Sequence, residues 1–391
     1  DKEKIMKDFT FFAPTRILFG KGKIAELPGQ IKNVADKVLL VYGGGSVKRT
    51  GIYDTLTGLF KSAGIAWEEL GGVEPNPKIQ SVIAGAELCR KHKLKAVVAL
   101  GGGSVIDCSK AIAAGVYHKG DLWDMVDKND IKRALPVFTV LTMAATGSEM
   151  NGNAVISNME INEKKAIKSE LLKPVASVLD PTYTYTVPRF QTASGVADIM
   201  SHIIECYFSD VHCAAVQDGI SEALLKVCIE YGKAAVVTPT DYTARANLMW
   251  ASSLAINGLT SCGTGNAWSC HAIEHQLSAY YDITHGAGLA VVTPAWFEHI
   301  LSEKTLDKFV SYGKNVWGIS GEHPFAVAKE AIARTREFFT SLGLPETLRG
   351  LGINSSGLFH QMAEKAVKDD LANAYVPLNE DDVVAIYSSC L

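Results

Sequence analysis

The sequence predicts an α/β N-terminal half with a Rossmann-like, mostly parallel sheet, followed by an all-α C-terminal half. Three observations carry this. Short apolar runs alternate with amphipathic stretches up to residue 188, two of those runs end in triple-glycine turns, and from Thr192 onward 3.6-residue periodicity dominates. Strand, turn and helix repeated in that order build an open sheet with helices on its faces. A chain of 391 residues also exceeds one ordinary core, so two domains of about 150–200 residues are expected. The expected division is 1–188 and 189–391.

Taken in order, Lys37-Val-Leu-Leu-Val-Tyr42 is a compact apolar run ending in Gly43-Gly-Gly45, the pattern of a buried parallel strand meeting a tight turn. Ile79 to His92 is amphipathic at helical spacing. Ala96-Val-Val-Ala-Leu100 then runs into Gly101-Gly-Gly103, and Ser104 to Gly115 reads as helix. Pro136-Val-Phe-Thr-Val-Leu141 is a further strand, ending in Thr142-Met-Ala-Ala-Thr146-Gly-Ser-Glu149. After Asp180-Pro181 and Pro188 the character changes. Helical periodicity marks 193–205, 216–236, 243–258, 286–301, 324–342 and 356–368.

Hydrophobic residues make up 47% and charged residues 20% of the chain, with a formal net charge of -4. Those values describe a globular enzyme and argue against nucleic acid or an anionic membrane as the partner. No apolar run reaches the roughly 18 residues of a spanning helix. The start is charged and lacks a secretory apolar region, with Met6 reading as a natural initiator. Eight cysteines without a C-x-x-C pair are expected as reduced thiols in a cytoplasmic protein.

Gly101-Gly-Gly103-Ser104 lies between strand and helix, where backbone N–H groups and the helix dipole favour a phosphate. It is not a G-x-G-x-x-G fingerprint, and a sharp turn without ligand is the bland alternative. Asp107 and Lys110 follow on the same helix, where an outer-face position is the simple reading. The earlier Gly43-Gly44-Gly45-Ser46-Val-Lys48-Arg49 lacks the carboxylate that typically holds NAD ribose hydroxyls. Ser46, Lys48 and Arg49 suit a 2′-phosphate instead, so NADP(H) is favoured over NAD(H).

Asp198 and His202 sit at i, i+4 on one predicted helix and so share a face. His271, His275 and His285 cluster further on. One carboxylate with three imidazoles suits a divalent ion such as Fe²⁺ or Zn²⁺, leaving a position for substrate. Spacing alone leaves open whether His271 or His275 coordinates, because these two also form an i, i+4 pair.

The chain resembles the iron-containing (group III) alcohol dehydrogenases nearly end to end, within them most closely the butanol dehydrogenase branch. Pro14-Thr-Arg-Ile-Leu-Phe-Gly20, Gly43 to Gly51 and Val73-Glu-Pro-Asn-Pro77 carry the resemblance early on. Gly101 to Asp107, Ala145 to Glu149, Ser177 to Glu205 and Trp268 to Gly288 extend it. The resemblance implies a dehydroquinate synthase-like fold, with Asp198, His202, His271 and His285 holding one divalent metal. It implies that His275 meets substrate or relays a proton. It further implies pyrophosphate contacts from Gly102, Gly103 and Ser104, with Asp107, Thr142 and Thr146 bordering the nicotinamide. Gly44, Ser46, Gly101, Lys164 and Leu179 complete the expected cofactor residues.

The reaction so implied is hydride transfer between NAD(P)H and a small to medium primary alcohol or aldehyde, of butanol and butanal type, by a homodimer. A zinc-dependent, glycerol-type polyol dehydrogenase of the same superfamily is the nearest alternative. A non-catalytic nucleotide- or metal-binding protein is the other. Trp268, Tyr280 and Tyr281 are candidates for an apolar substrate pocket, with ordinary core packing as the competing reading.

Overall fold

Alternate residues of the apolar runs go to opposite layers, as a sheet buried on both faces requires. Val38, Leu40, Val98, Leu100, Phe138 and Val140 join one core cluster; Leu39, Val41, Val97, Ala99, Val137 and Leu141 join the other. The structure, a computed structural model, describes residues 5–211, 213–265 and 268–391. Its strands are β1 (Arg16–Phe19), β2 (Lys37–Tyr42), β3 (Ala66–Leu70), β4 (Ala96–Gly101), β5 (Val137–Leu141), β6 (Asn153–Asn158), β7 (Glu163–Lys168) and β8 (Ala176–Leu179). Six of them form one sheet in the order β1-β8-β5-β4-β2-β3, every pair parallel. β6 and β7 form a separate antiparallel hairpin.

The helices of this half are α1 (Leu27–Lys32), α2 (Ser46–Arg49), α3 (Ile52–Ala63), α4 (Ile79–His92), α5 (Gly103–Gly115) and α6 (Leu122–Lys128). Leu27 and Ile31 of α1 with Leu56 and Phe60 of α3 pack into one cluster. Val82 and Ala86 of α4, Ile106 and Ala113 of α5 and Met125 of α6 fill the other. Burial on both sides explains why β2, β4 and β5 read as near-continuous apolar runs.

The rest of the chain is helical: α7 (Arg189–Tyr207), α8 (Ala215–Val237), α9 (Tyr242–Ala255), α10 (Ser269–Tyr281), α11 (His285–Ile300), α12 (Leu306–Asn315), α13 (Pro324–Ser341), α14 (Phe359–Ala366) and α15 (Glu380–Ser389). From Thr192 to Tyr207 every residue of α7 is buried, including Asp198, His202 and Glu205. A helix buried all round is a central element rather than a surface one. It packs against α8, α10 and α11.

The fold is thus a parallel-sheet α/β half and a helical half, but the two compact units are not contiguous in sequence. One comprises Phe12–Val187 with Pro239–Ser253; the other comprises the segment ending at Phe11 with Pro188–Thr238 and Leu254–Leu391. Most of α9 therefore belongs with the sheet, across the single division expected at 188. Met249 lies in a sheet-side core cluster, Trp250 meets Phe19 edge-on with centroids 6.2 Å apart, and Ser253 Oγ donates to the Glu149 carboxylate. Sequence continuity gave no hint of that docking. No helix among the described residues is long and apolar enough to cross a membrane, and none of the eight cysteines is in a disulfide.

Candidate metal centre and cofactor turn

Helix α7 presents Asp198 and His202 one turn apart, as their spacing requires. His202 Nε2 lies 3.5 Å, His285 Nε2 3.7 Å and His271 Nε2 3.8 Å from the same atom, Asp198 Oδ1. Tetrahedral ligands at metal–ligand distances near 2.0–2.2 Å stand about 3.3–3.6 Å apart, so each imidazole lies near ligand spacing from Asp198; Asp198, His202 and His271 form one mutually close donor group, and His285 also groups with Glu274 and His275. The two sequence-distant pairs are brought together. Asp198 Oδ1 and His271 Nε2 are buried with no hydrogen-bond partner among the described residues, as is His202 Nδ1. Buried polar atoms left unpaired are costly, and a bound cation satisfies the first two at once. The set fits a metal.

The electrostatics favour positive charge at the centre. Burial pushes the Asp198 carboxyl upward, but the imidazoles of His202, His271 and His285 hold it well below the ordinary carboxylate range. Burial opposes charge on His271, while Glu205 and then Asp198 raise it to about 9. His202 is pushed down to about 3 by burial, with Asp198 opposing. Its ring stacks on His271 with centroids 4.7 Å apart, a contact two imidazolium ions would resist. Trp268 meets both rings edge-on, at 5.8 and 5.1 Å.

His275 lies beside two of these rings. Its ring centroid is 6.0 Å from His271 and 5.5 Å from His285. Its carboxylate neighbour Glu274 and His285 group with it.

Two carboxylates behind the centre were missed from the sequence. His271 Nδ1 hydrogen-bonds Glu205, whose other oxygen accepts from Cys270 N at 2.8 Å, and His285 Nδ1 hydrogen-bonds Glu274. Both ring contacts direct Nε2 inward. Glu205 is three residues beyond His202 and seven beyond Asp198, so helical spacing placed it on the ligand face.

In the sheet unit, Gly101 ends β4 and Gly103 and Ser104 open α5, with Gly102 as the residue before it. A Cβ on Gly103 would lie 2.3 Å from Thr146 Oγ1, so the turn and the segment after β5 are in contact. Thr142 N donates to Gly101 O at 3.0 Å. Gly101, Gly102, Gly103, Ser104, Thr142 and Thr146 therefore gather at the C-terminal ends of β4 and β5, where open α/β sheets bind ligands.

Asp107 and Lys110 do not face outward. Lys110 is fully buried and donates to Ser148 Oγ (2.8 Å), Asn151 O (2.9 Å), Asn151 Oδ1 (3.1 Å) and Asn153 O (2.8 Å). Asp107 accepts from Ser148 Oγ at 2.6 Å and Val155 N at 2.9 Å. One oxygen thus fastens α5 to β6 and the other to the turn before it. Lys164 is buried on β7, and the Leu179 side chain lies in the core while its carbonyl accepts from Gly20 N at 2.9 Å. Gly44 and Ser46 lie in the turn after β2, with Ser46 opening α2. Lys48 is engaged: its Nζ sits 4.7 and 4.5 Å over the Tyr42 and Tyr53 rings and 3.8 Å from Glu69. Tyr42, Tyr53 and Trp67 all donate to Glu69, a carboxylate on the neighbouring strand that inspection of the turn alone overlooked.

Residues 14–181 match the iron-containing alcohol dehydrogenase profile, and residues 192–391 match the C-terminal profile of the same family. The chain belongs to the iron-containing alcohol dehydrogenase family. It is 56% identical to NADH-dependent butanol dehydrogenase A of Clostridium acetobutylicum, covering 98% of this chain and 99% of the relative. An NADPH-dependent aldehyde reductase of Escherichia coli is 40% identical over 90% of this chain and 91% of its own. Among solved structures, NADH-dependent butanol dehydrogenase A of Thermotoga maritima superposes with a TM-score of 0.93 at 38% identity, with 99% of each chain covered. This family member is a metal-dependent, NAD(P)-dependent alcohol dehydrogenase or aldehyde reductase, and the polyol alternative is not favoured.

Proposed function

We propose that this enzyme interconverts butanal-type aldehydes and primary alcohols, with Asp198, His202, His271 and His285 as the ligands of one divalent ion, Fe²⁺ or Zn²⁺. The single observation that carries the ligand reading is the convergence of three Nε2 atoms within 3.8 Å of Asp198 Oδ1. Bound there, the ion supplies Lewis acidity toward a substrate oxygen, while a nicotinamide supplies or accepts the hydride. The Gly102–Ser104 turn binds the pyrophosphate through backbone N–H groups at the start of α5. Thr142 and Thr146 border the nicotinamide, and Gly44 and Ser46 the adenosine ribose. Asp107 acts by holding α5 in place rather than by touching the ring. His275, beside the ligands, carries the hydroxyl proton to and from solvent.

For the dinucleotide, NADH is the better reading despite the basic residues after Gly45. The Lys48 cation is held by two tyrosine rings and Glu69, and the 56% identical relative is named as NADH-dependent. A cytoplasmic homodimer belongs to the same proposal, following the family resemblance. Steady-state rates on butanal and butanol with NADH and NADPH, using protein reconstituted separately with Fe²⁺ and Zn²⁺, test it. Activity that is metal-dependent and lost in Asp198→Ala is expected. Full turnover and metal content in that variant would overturn the ligand set.

A further inference from the structure

We propose that Glu274 is a positioning residue for the cation centre. By holding His285 through Nδ1 it presents Nε2 to Asp198, and so sets how tightly the metal is kept. The inference rests on the ligand reading above. Glu274 lies on α10 three residues after His271 and is fully buried, so one helix carries a ligand and the support of another. One carboxylate oxygen hydrogen-bonds His285 Nδ1; the other accepts from Ser278 Oγ, one turn further along the helix. With both oxygens engaged, the grouping of Glu274, His275 and His285 is not a second metal site but the back of the first.

The neighbouring helix has made room for this carboxylate. Gly288 lies one turn beyond His285 on α11, and a Cβ there would sit 2.8 Å from Glu274 Cγ and 2.9 Å from Oε1. Any larger residue there would have to push this side chain or α11 aside, so glycine lets the acid lie against α11 in reach of the ring. The arrangement parallels Glu205 on His271, whereas His202 Nδ1 has no partner among the described residues. Two of three imidazoles are therefore backed by a carboxylate. Such partners fix the tautomer, raise ligand basicity and typically govern metal affinity by about 10–100-fold.

The test compares full-length wild type with Glu274→Ala, Glu274→Gln and Gly288→Ala. Zn²⁺ affinity is measured by competition with a chromophoric chelator, and the ligand field by the visible spectrum of the Co²⁺-loaded protein. Glu274→Ala is expected to weaken Zn²⁺ binding roughly 10–100-fold and to alter the Co²⁺ bands. Glu274→Gln should stay within a few-fold of wild type, because its amide oxygen still accepts from Nδ1–H. Gly288→Ala should reproduce the alanine effect without removing any acid. Should Glu274→Ala not fold, the other two variants decide. Wild-type protein that holds neither ion overturns the ligand reading and this inference with it. Wild type that binds while Glu274→Ala or Gly288→Ala matches it in affinity and spectrum overturns this inference alone.

Discussion

Replacing Gly286 by alanine puts a methyl group where two helices meet backbone to backbone. The added Cβ would stand 2.0 Å from the carbonyl oxygen of Ser194 and 2.7 Å from its carbonyl carbon. No side chain can rotate away from that clash, so α11 must retreat from α7 by about 1.4 Å to regain ordinary contact. Gly286 adjoins His285, and Ser194 lies one turn before Asp198. The displacement therefore falls directly on the 3.7 Å separation between His285 Nε2 and Asp198 Oδ1. Overpacking of this kind costs about 1–3 kcal/mol, roughly 3–10 °C of melting temperature for a domain of this size. A misplacement near 1 Å at a reacting centre costs on the order of 100-fold in rate. Gly219→Ala on α8 is the control, since a Cβ there meets nothing within 4 Å. Melting curves, bound zinc per chain and turnover on butanal read the outcome. If Gly286→Ala matched wild type in metal content and turnover, the argument that this contact sets the ligand geometry would be wrong.

Lys110→Met should destabilise the sheet unit by about 3–5 kcal/mol, because it strands Asp107 and several buried acceptors; denaturant titration reads this. Burial lowers the Lys110 amine to about 8 from its ordinary value of 10.5, against the opposing pull of Asp107 and Glu149. Between those limits the unfolded chain holds the extra proton, so wild type should gain stability on Lys110→Met as pH rises from about 8 towards 10.5. A margin that shrinks instead refutes the assignment. Gly103→Ala, which collides with Thr146, should raise the KM for both dinucleotides at least about tenfold with metal content intact; unchanged KM values dismiss the turn as a phosphate site. Lys48→Met should leave the NADH-to-NADPH preference within a few-fold of wild type, and selective loss of NADPH activity would show this lysine reaching a 2′-phosphate.

Elements with a single strong period were legible. Ile79–His92 was read to the residue, and the β2, β4 and β5 runs stood out because burial on both faces leaves no polar alternation to blur them. The edge strand β3, Ala66–Leu70, carries Trp67, Glu68 and Glu69 and is only half buried, so it lacks that signature. The β6–β7 hairpin is similarly masked by Glu163, Lys164 and Lys165. At the candidate centre, i, i+4 spacing proposed Asp198 with His202, but His271 and His275 satisfied the same rule equally. Only the three-dimensional approach to Asp198 Oδ1 separates them. Glu205 and Glu274 sit at helical spacing from candidate ligands, yet nothing in one dimension says which ring nitrogen they touch. The bland reading of Asp107 and Lys110 as outer-face residues fails because their partners lie some forty residues later: Asn151 and Asn153 accept from Lys110, while Ser148 and Val155 donate to Asp107.

The return of residues 239–253 to the sheet has a practical meaning for anyone dissecting this chain. A fragment cut at Val187 would lose Met249 from a core cluster, Trp250 from its place beside Phe19, and the Ser253 hydroxyl that donates to buried Glu149. The sheet-bearing half is thus not a transplantable module. Grafting it onto a different helical half would have to carry this later helix along, or leave an acid stranded in oil.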